Sequence, residues 1–194
     1  IVGDLAQSSW PDLDEVGRAV RDLIGNAPHR DFRLSVNYRS PAEVFDLAAK
    51  VVKESFPKAD LPRAVRSTGR QPELLTTSES ALVSDLVRIV DRLTDSVGGT
   101  VGVIAPPSRL GHLRTALPQR LGTRMNPANL ARVIFVSPLE AKGLEYDAVV
   151  VVSPDEVVEQ SPGGVRVLYV ALTRATQMLV TLDVGGPGAW RPAD

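Results

Sequence analysis

The chain has 194 residues, 43% of them apolar and 23% charged, a formal net charge of −1 and no cysteine, with a sequence pI of about 6.2. That is enough apolar material for one large core, and it excludes disulfide frameworks, thiolate metal sites and the global basic field of a self-sufficient nucleic-acid binder. No apolar run nears the ~20 residues of a membrane span and no signal-peptide pattern opens the chain, so the expected setting is the cytoplasm without membrane contact. His29 and His112 have no ligand-spaced neighbours and read as solvated, with no metal site.

Ile1 and Val2 read as the end of a buried strand, and an apolar opening without methionine suggests a piece of something longer. Gly3 to Ser9, which includes Gln7, is then a loop at a strand's carboxyl end, where ligands gather in open α/β sheets. Asp12 caps a helix with Leu13, Val16, Val20, Leu23 and Ile24 on its inner side, stopped by Gly25-Asn26. Trp10 reads as an apolar staple onto that helix before it reads as a base-stacking platform. Phe32 to Val36 alternates as a strand and breaks into Asn37-Tyr38-Arg39-Ser40-Pro41. Ser40, Pro41 and Glu43 supply a capping hydroxyl, a first-turn proline and a first-turn acid for a helix through Val44, Leu47, Ala48, Val51 and Val52. Tyr38 and Arg39 thus fall on a strand-to-helix corner; a presented pair and a core aromatic beside a solvated charge fit that segment equally. Residues 56–72, with Arg63, Arg66 and Arg70, read as a solvated connection.

Glu73 to Thr77 is a strand, Ser78 caps a helix with Leu82, Leu86, Ile89, Val90 and Leu93 inward, and Gly98-Gly99 ends it. Val101 to Ala105 is a buried strand, and Ser108 caps the helix Leu110 to Leu121. Val133 to Val136 is another buried strand, and Ala148 to Val152 has the continuous β-branched run of a strand covered on both faces. Lys142-Gly143-Leu144-Glu145 is expected between two inner strands, with close backbone approach at Gly143 and Glu145 free to accept from a sugar hydroxyl; the plain alternative is a turn whose charges face water. Val165 to Thr176 has helical apolar spacing, Met178 to Val184 is a strand, and Gly185 to Asp194 is a frayed Gly/Pro tail. The alternation of strands and helices predicts a mainly parallel sheet with helices on both faces.

Arg174 falls at the helix-to-strand junction. A guanidinium held on two rigid elements can present a fixed fork of donors to an anion; an ordinary cation at a helix C-terminus contributes about 0.3–1 kcal/mol. The chain contains no Gly-x-x-x-x-Gly-Lys-Ser/Thr and no Asp-Glu pair of Walker B character on a strand, so the phosphate cradle and Mg²⁺ ligands of a P-loop ATPase are not in it.

Four stretches in order, Gly-Asp-Leu-Ala-Gln-Ser at 3–8, Asn-Tyr-Arg-Ser at 37–40, Lys-Gly-Leu-Glu-Tyr-Asp at 142–147 and Tyr-Val-Ala-Leu-Thr-Arg-Ala at 169–175, closely resemble motifs III to VI of superfamily-1 helicases of the UvrD/Rep type. The resemblance implies a RecA-like second motor domain over residues 31–184, preceded in residues 1–30 by the tail of the first RecA-like domain and a connecting helix, and followed by a flexible tail at 185–194. It implies ATP with Mg²⁺ in a cleft shared with the first domain, the Mg²⁺ held by that domain's P-loop. Gln7 would sense the γ-phosphate, Tyr38 would pack on the adenine, Arg39 and Arg174 would reach the γ-phosphate, Glu145 would accept from the ribose, and Gly143 would sit in the nucleotide-binding motif.

The departures point to a subtype. Leu139 stands where the DNA-unwinding members carry a DNA-contacting histidine, residues 7–12 lack their aromatic and arginine pattern, and there is no room between Arg39 and Val133 for their inserted domain. The runs Leu34 to Glu43, Val65 to Gly69 and Ser137 to Gly143 look like actinobacterial HelD, helicase-like ATPases that bind and recycle RNA polymerase. The resemblance therefore implies RNA polymerase as partner, with a DNA helicase or translocase, and a non-catalytic interaction module, as the other readings.

Overall fold

The structure, a computed structural model, describes residues 13–25, 28, 30 and 35–192. Gln7, Trp10 and Asp12, with the rest of residues 1–12, lie outside the described residues. The first helix, α1 (Leu13–Ile24), ends where predicted, with Gly25 at φ +57° and its N–H donating to the Arg21 carbonyl at 2.8 Å. Its Leu23 is not inward, however, but 75% exposed.

The chain continues through β1 (Val36–Asn37), α2 (Ala42–Ser55), β2 (Arg63–Ala64), β3 (Glu73–Thr77), α3 (Leu82–Ser96), β4 (Val101–Ile104) and α4 (Pro107–Leu121). It closes with α5 (Pro127–Leu130), β5 (Val133–Val136), β6 (Tyr146–Val152), α6 (Pro154–Gln160), α7 (Val165–Leu172) and β7 (Ala175–Val184). Five strands form one parallel sheet in the order β3-β7-β6-β4-β5. This is an α/β, RecA-like fold, with two apolar layers. Val149 and Val151 of β6 pack with α2 and α7, while Ala148, Val150 and Val152 pack with α3 and α4. Successive strand residues point to opposite faces, so a strand covered twice must be apolar at every position.

Several expectations change. β5 is an edge strand, with Ile134 36% exposed, so the Lys142–Glu145 loop joins an edge to the centre instead of lying between two inner strands. Arg63 and Ala64, read as connection, pair in parallel with Val36 and Asn37 in a separate two-stranded sheet. None of Ser40, Ser78 and Ser108 caps its helix: Pro41, Ala81 and Pro106 occupy those positions without side-chain caps. The helix α6 was not foreseen, although Ser153-Pro154 followed by Glu156 repeats the start signal used at Ser40. α7 stops at Leu172 instead of Thr176 because the Thr173 hydroxyl donates to the Tyr169 and Val170 carbonyls at 2.9 and 3.1 Å, serving acceptors that another turn would have served. Ala175 is instead the first residue of β7, opposite Tyr146.

The segment after Val184 is not a frayed tail through residue 192. Trp190 is 6% exposed and its Nε1 donates to Asp183 at 2.6 Å, Arg191 Nε donates to the same carboxylate at 2.7 Å, and the Ala189 and Trp190 amides donate to Asp155 at 2.9 and 2.8 Å. A buried indole with its N–H satisfied outweighs the entropy its Gly/Pro composition would favour.

Candidate nucleotide-facing corner

The first part of the site is the turn from β1 into α2. Asn37 Oδ1 accepts from the Arg39 and Ser40 amides at 2.9 and 3.3 Å, the local geometry that lets Asn close a turn with its own side chain. The turn leaves Tyr38 73% exposed, which decides between the two sequence readings in favour of a presented ring. Arg39 is also on the surface, and its Nε donates to Glu145. Ser40 is buried, and its hydroxyl donates to the Thr173 carbonyl at 3.0 Å.

The second part is the loop from β5 to β6. It opens on reciprocal bonds: the Ser137 amide donates to Glu140 Oε2 at 2.7 Å, and the Glu140 amide donates to Ser137 Oγ at 3.2 Å. The Ser137 donors, amide first, hold the Glu140 carboxyl below its usual range, aided by Arg114. Gly143 adopts φ +84°, and a Cβ there would meet nothing within 4 Å. Glycine is needed for the left-handed backbone and not for close approach within the chain. The turn brings Leu144 (45% exposed) and Glu145 to the surface beside Arg39.

The third part is the α7–β7 junction. Arg174 is 2% exposed, and its Nε donates to the Val170 carbonyl at 2.9 Å, Nη1 to the Leu144 carbonyl at 3.2 Å and Nη2 to Thr173 Oγ1 at 3.3 Å. Burial lowers its pKa, and so does the positive charge of Arg39, while Glu145 raises it; a guanidinium stays protonated even so. Because Arg174 bonds the Leu144 carbonyl and the next residue, Glu145, pairs with Arg39, the three side chains meet at one corner. Beneath them Tyr146 is buried, its hydroxyl without a hydrogen-bond partner and its pKa pushed up by burial.

Of the sequence-predicted site residues, Tyr38, Arg39, Gly143, Glu145 and Arg174 are therefore carried by three junctions at one end of the fold, and Gln7 is outside the described residues. Glu145, expected to wait for a sugar hydroxyl, is paired with Arg39, and Arg174 is a buried clamp on backbone carbonyls instead of a protruding finger. Residues 136–182 match the family model of the UvrD-like helicase C-terminal domain. The matched region runs from the end of β5 into β7 and contains Gly143, Glu145 and Arg174, whereas Tyr38 and Arg39 precede it.

Among solved structures, the C-terminal domain of a possible DNA helicase from Lactobacillus plantarum WCFS1 is similar at 24% identity and a TM-score of 0.58, over 81% of this chain and 94% of that one. At that identity the likeness shows the shared fold. No curated protein matches the chain.

Sequence reasoning missed Arg66, which it placed in a solvated loop. Arg66 Nε donates to the Tyr38 carbonyl at 3.4 Å, and its Nη2 donates to the carbonyls of both Arg39 and Thr176. The run Val65 to Gly69, noted for its family resemblance, sets Arg66 apart from Arg63 and Arg70, but nothing local gives its role, because its acceptors lie 27 and 110 residues away. Among the described residues, no helix is long and apolar enough to cross a membrane.

Proposed function

We propose that this chain is the second motor domain of a HelD-like ATPase that binds and recycles RNA polymerase, completing an ATP site with a P-loop domain. The carrying observation is the meeting of Arg39, Glu145 and Arg174 at one corner, through the Arg39–Glu145 pair and the Arg174–Leu144 bond, beside the exposed Tyr38 ring. These residues suit a nucleotide: an aromatic face for a base, two cations for phosphates and a carboxylate for a sugar hydroxyl. Bound ATP would supply the phosphoryl group, and Mg²⁺ would be held by the P-loop domain. Arg174 contributes a cation whose plane is preset by Val170, Leu144 and Thr173. Arg39 contributes one whose Nε is oriented by Glu145. Catalysis of phosphoryl transfer rests on such positioned charge, and an arginine supplied across an interface can contribute about 10³–10⁵ in rate.

The polymerase-directed reading is supported by Leu139, which is 47% exposed at the position where DNA-contacting members carry histidine and which cannot donate a hydrogen bond. The structural neighbour described as a possible DNA helicase favours a DNA translocase as the second reading. In a protein joining this domain to a P-loop domain, Arg174→Ala and Arg39→Ala should each abolish most ATP turnover, while the 194-residue chain alone should hydrolyse none. Full turnover by both variants would leave only an interaction module. Co-purification with RNA polymerase supports the first reading, whereas single-strand DNA affinity that falls steeply with salt supports the second.

A further inference from the structure

We infer that Arg66 is a positioning residue that fixes the separation between the two arginine-bearing junctions. Resting on the nucleotide-site reading above, this extends it to a residue that touches no ligand. The Nη2 of Arg66 donates to the Arg39 carbonyl on the β1–α2 turn and to the Thr176 carbonyl at the start of β7, two residues past Arg174. Its Nε reaches the Tyr38 carbonyl on the same turn at 3.4 Å. One planar group thus joins the backbone of the exposed aromatic and cation to the backbone that follows the buried cation.

The loop that carries Arg66 is itself fixed. The Ala42 amide donates to the Arg66 carbonyl at 2.7 Å, tying it to the start of α2. Immediately after, Glu43 accepts from the Ser67 hydroxyl at 2.5 Å and from the Gly69 and Thr68 amides at 2.7 and 3.3 Å. On the other side, β2 pairs with β1, and the Val65 amide donates to the Asn37 carbonyl at 3.2 Å. Ser40 supplies a second, shorter bridge between the same two junctions through the Thr173 carbonyl. The main sheet does not include β1 and β2, so it does not hold the Tyr38–Arg39 turn directly. Arg66 and Ser40 connect the turn to the α7–β7 junction by hydrogen bonds, beside the packing of α2 on α7 and the Arg39–Glu145 pair. The Arg66 Nη2 alone carries both bonds across the two elements, and Nε, held in the same plane, adds the Tyr38 carbonyl on the turn.

Two readouts test this. In the 194-residue chain, NMR order parameters of the Tyr38 and Arg39 amides should fall in Arg66→Gln from the rigid range, about 0.85, toward 0.6, and should be partly restored in Arg66→Lys. In a protein joining this domain to a P-loop domain, Arg66→Gln should lower kcat for ATP by about 10–100-fold, the cost of misplacing a catalytic group by about 1 Å, with KM changed by less than about threefold. Arg66→Lys should fall between. If Arg66→Gln does not fold, Arg66→Lys decides: lowered kcat and raised turn mobility support the role, and wild-type values of both overturn it. A folded Arg66→Gln with wild-type kcat and order parameters also overturns it, provided Arg174→Ala has lost turnover. Full turnover in Arg174→Ala as well would instead defeat the nucleotide-site reading on which the inference rests.

Discussion

The two arginines of the corner should lose very different amounts of stability on the same conservative change. Arg174 is buried and gives three hydrogen bonds, at 2.9, 3.2 and 3.3 Å, to acceptors on α7, the Leu144 loop and Thr173. The compact ammonium of a lysine can serve one of these acceptors well, so Arg174→Lys gives up two bonds of the longer kind. At about 1.5 kcal/mol each, the lower end for bonds involving a charged group, the cost is about 3 kcal/mol. For a chain of this size that is about 6–12 °C in Tm. Arg39 is 46% exposed at its side chain and pairs with an equally exposed Glu145. Arg39→Lys should therefore cost no more than about 0.5 kcal/mol, or roughly 2 °C. Urea unfolding of the 194-residue chain followed by circular dichroism reads both as shifts of midpoint at constant slope. Equal midpoints for the two variants would refute the assignment of Arg174 to a structural clamp as well as a charge. In the P-loop-joined protein the stability difference should vanish from the kinetics, because both substitutions replace a preset planar fork with a point charge and both should lower kcat.

Two further outcomes follow from single geometries. A Cβ added at Gly102 would stand 2.7 Å from Tyr146 Cδ2 in a ring that is only 4% exposed, so Gly102→Ala should lower stability by about 1–3 kcal/mol in a urea titration, with much of the loss recovered in Gly102→Ala/Tyr146→Leu. The Ser67 hydroxyl, followed by Glu43's own amide and then those of Gly69 and Thr68, holds the Glu43 carboxyl at about 2 against an ordinary 4.5. With the folded pKa the lower one, its stabilisation is complete above pH 4.5 and is lost as pH falls through about 2. A carboxyl NMR titration of Glu43 with its midpoint at the ordinary value would overturn that arrangement.

The parallel sheet was legible because its evidence is local. Val149, Val150 and Val151 are all apolar because β6 is covered on both faces, and that demand is written in the run itself. The junction position of Arg174 followed equally from apolar spacing on one side and β-branched residues on the other, and the Asn-Tyr-Arg-Ser and Lys-Gly-Leu-Glu motifs drew attention to Tyr38, Arg39, Gly143 and Glu145. Helix starts were read less well. Ser40 has the composition of a cap, yet its hydroxyl is taken by a carbonyl 133 residues away, a competition no local window contains. The end of the chain was misread for the same reason, since Gly and Pro predict fraying until Asp155 and Asp183 are brought beside Trp190.

By itself, then, the sequence determined the alternation of elements, the apolar layers and the residue types available for anion chemistry, all consequences of spacing and side-chain character along a few turns. Only the tertiary structure decided that Arg174 lies buried against backbone carbonyls while Arg39 pairs with Glu145 at the surface, and that Arg66 ties their two junctions together. Apart from the local Arg174–Val170 bond, those contacts join residues 27 to 110 positions apart, and such pairings exist only once the sheet has fixed which loops share an end.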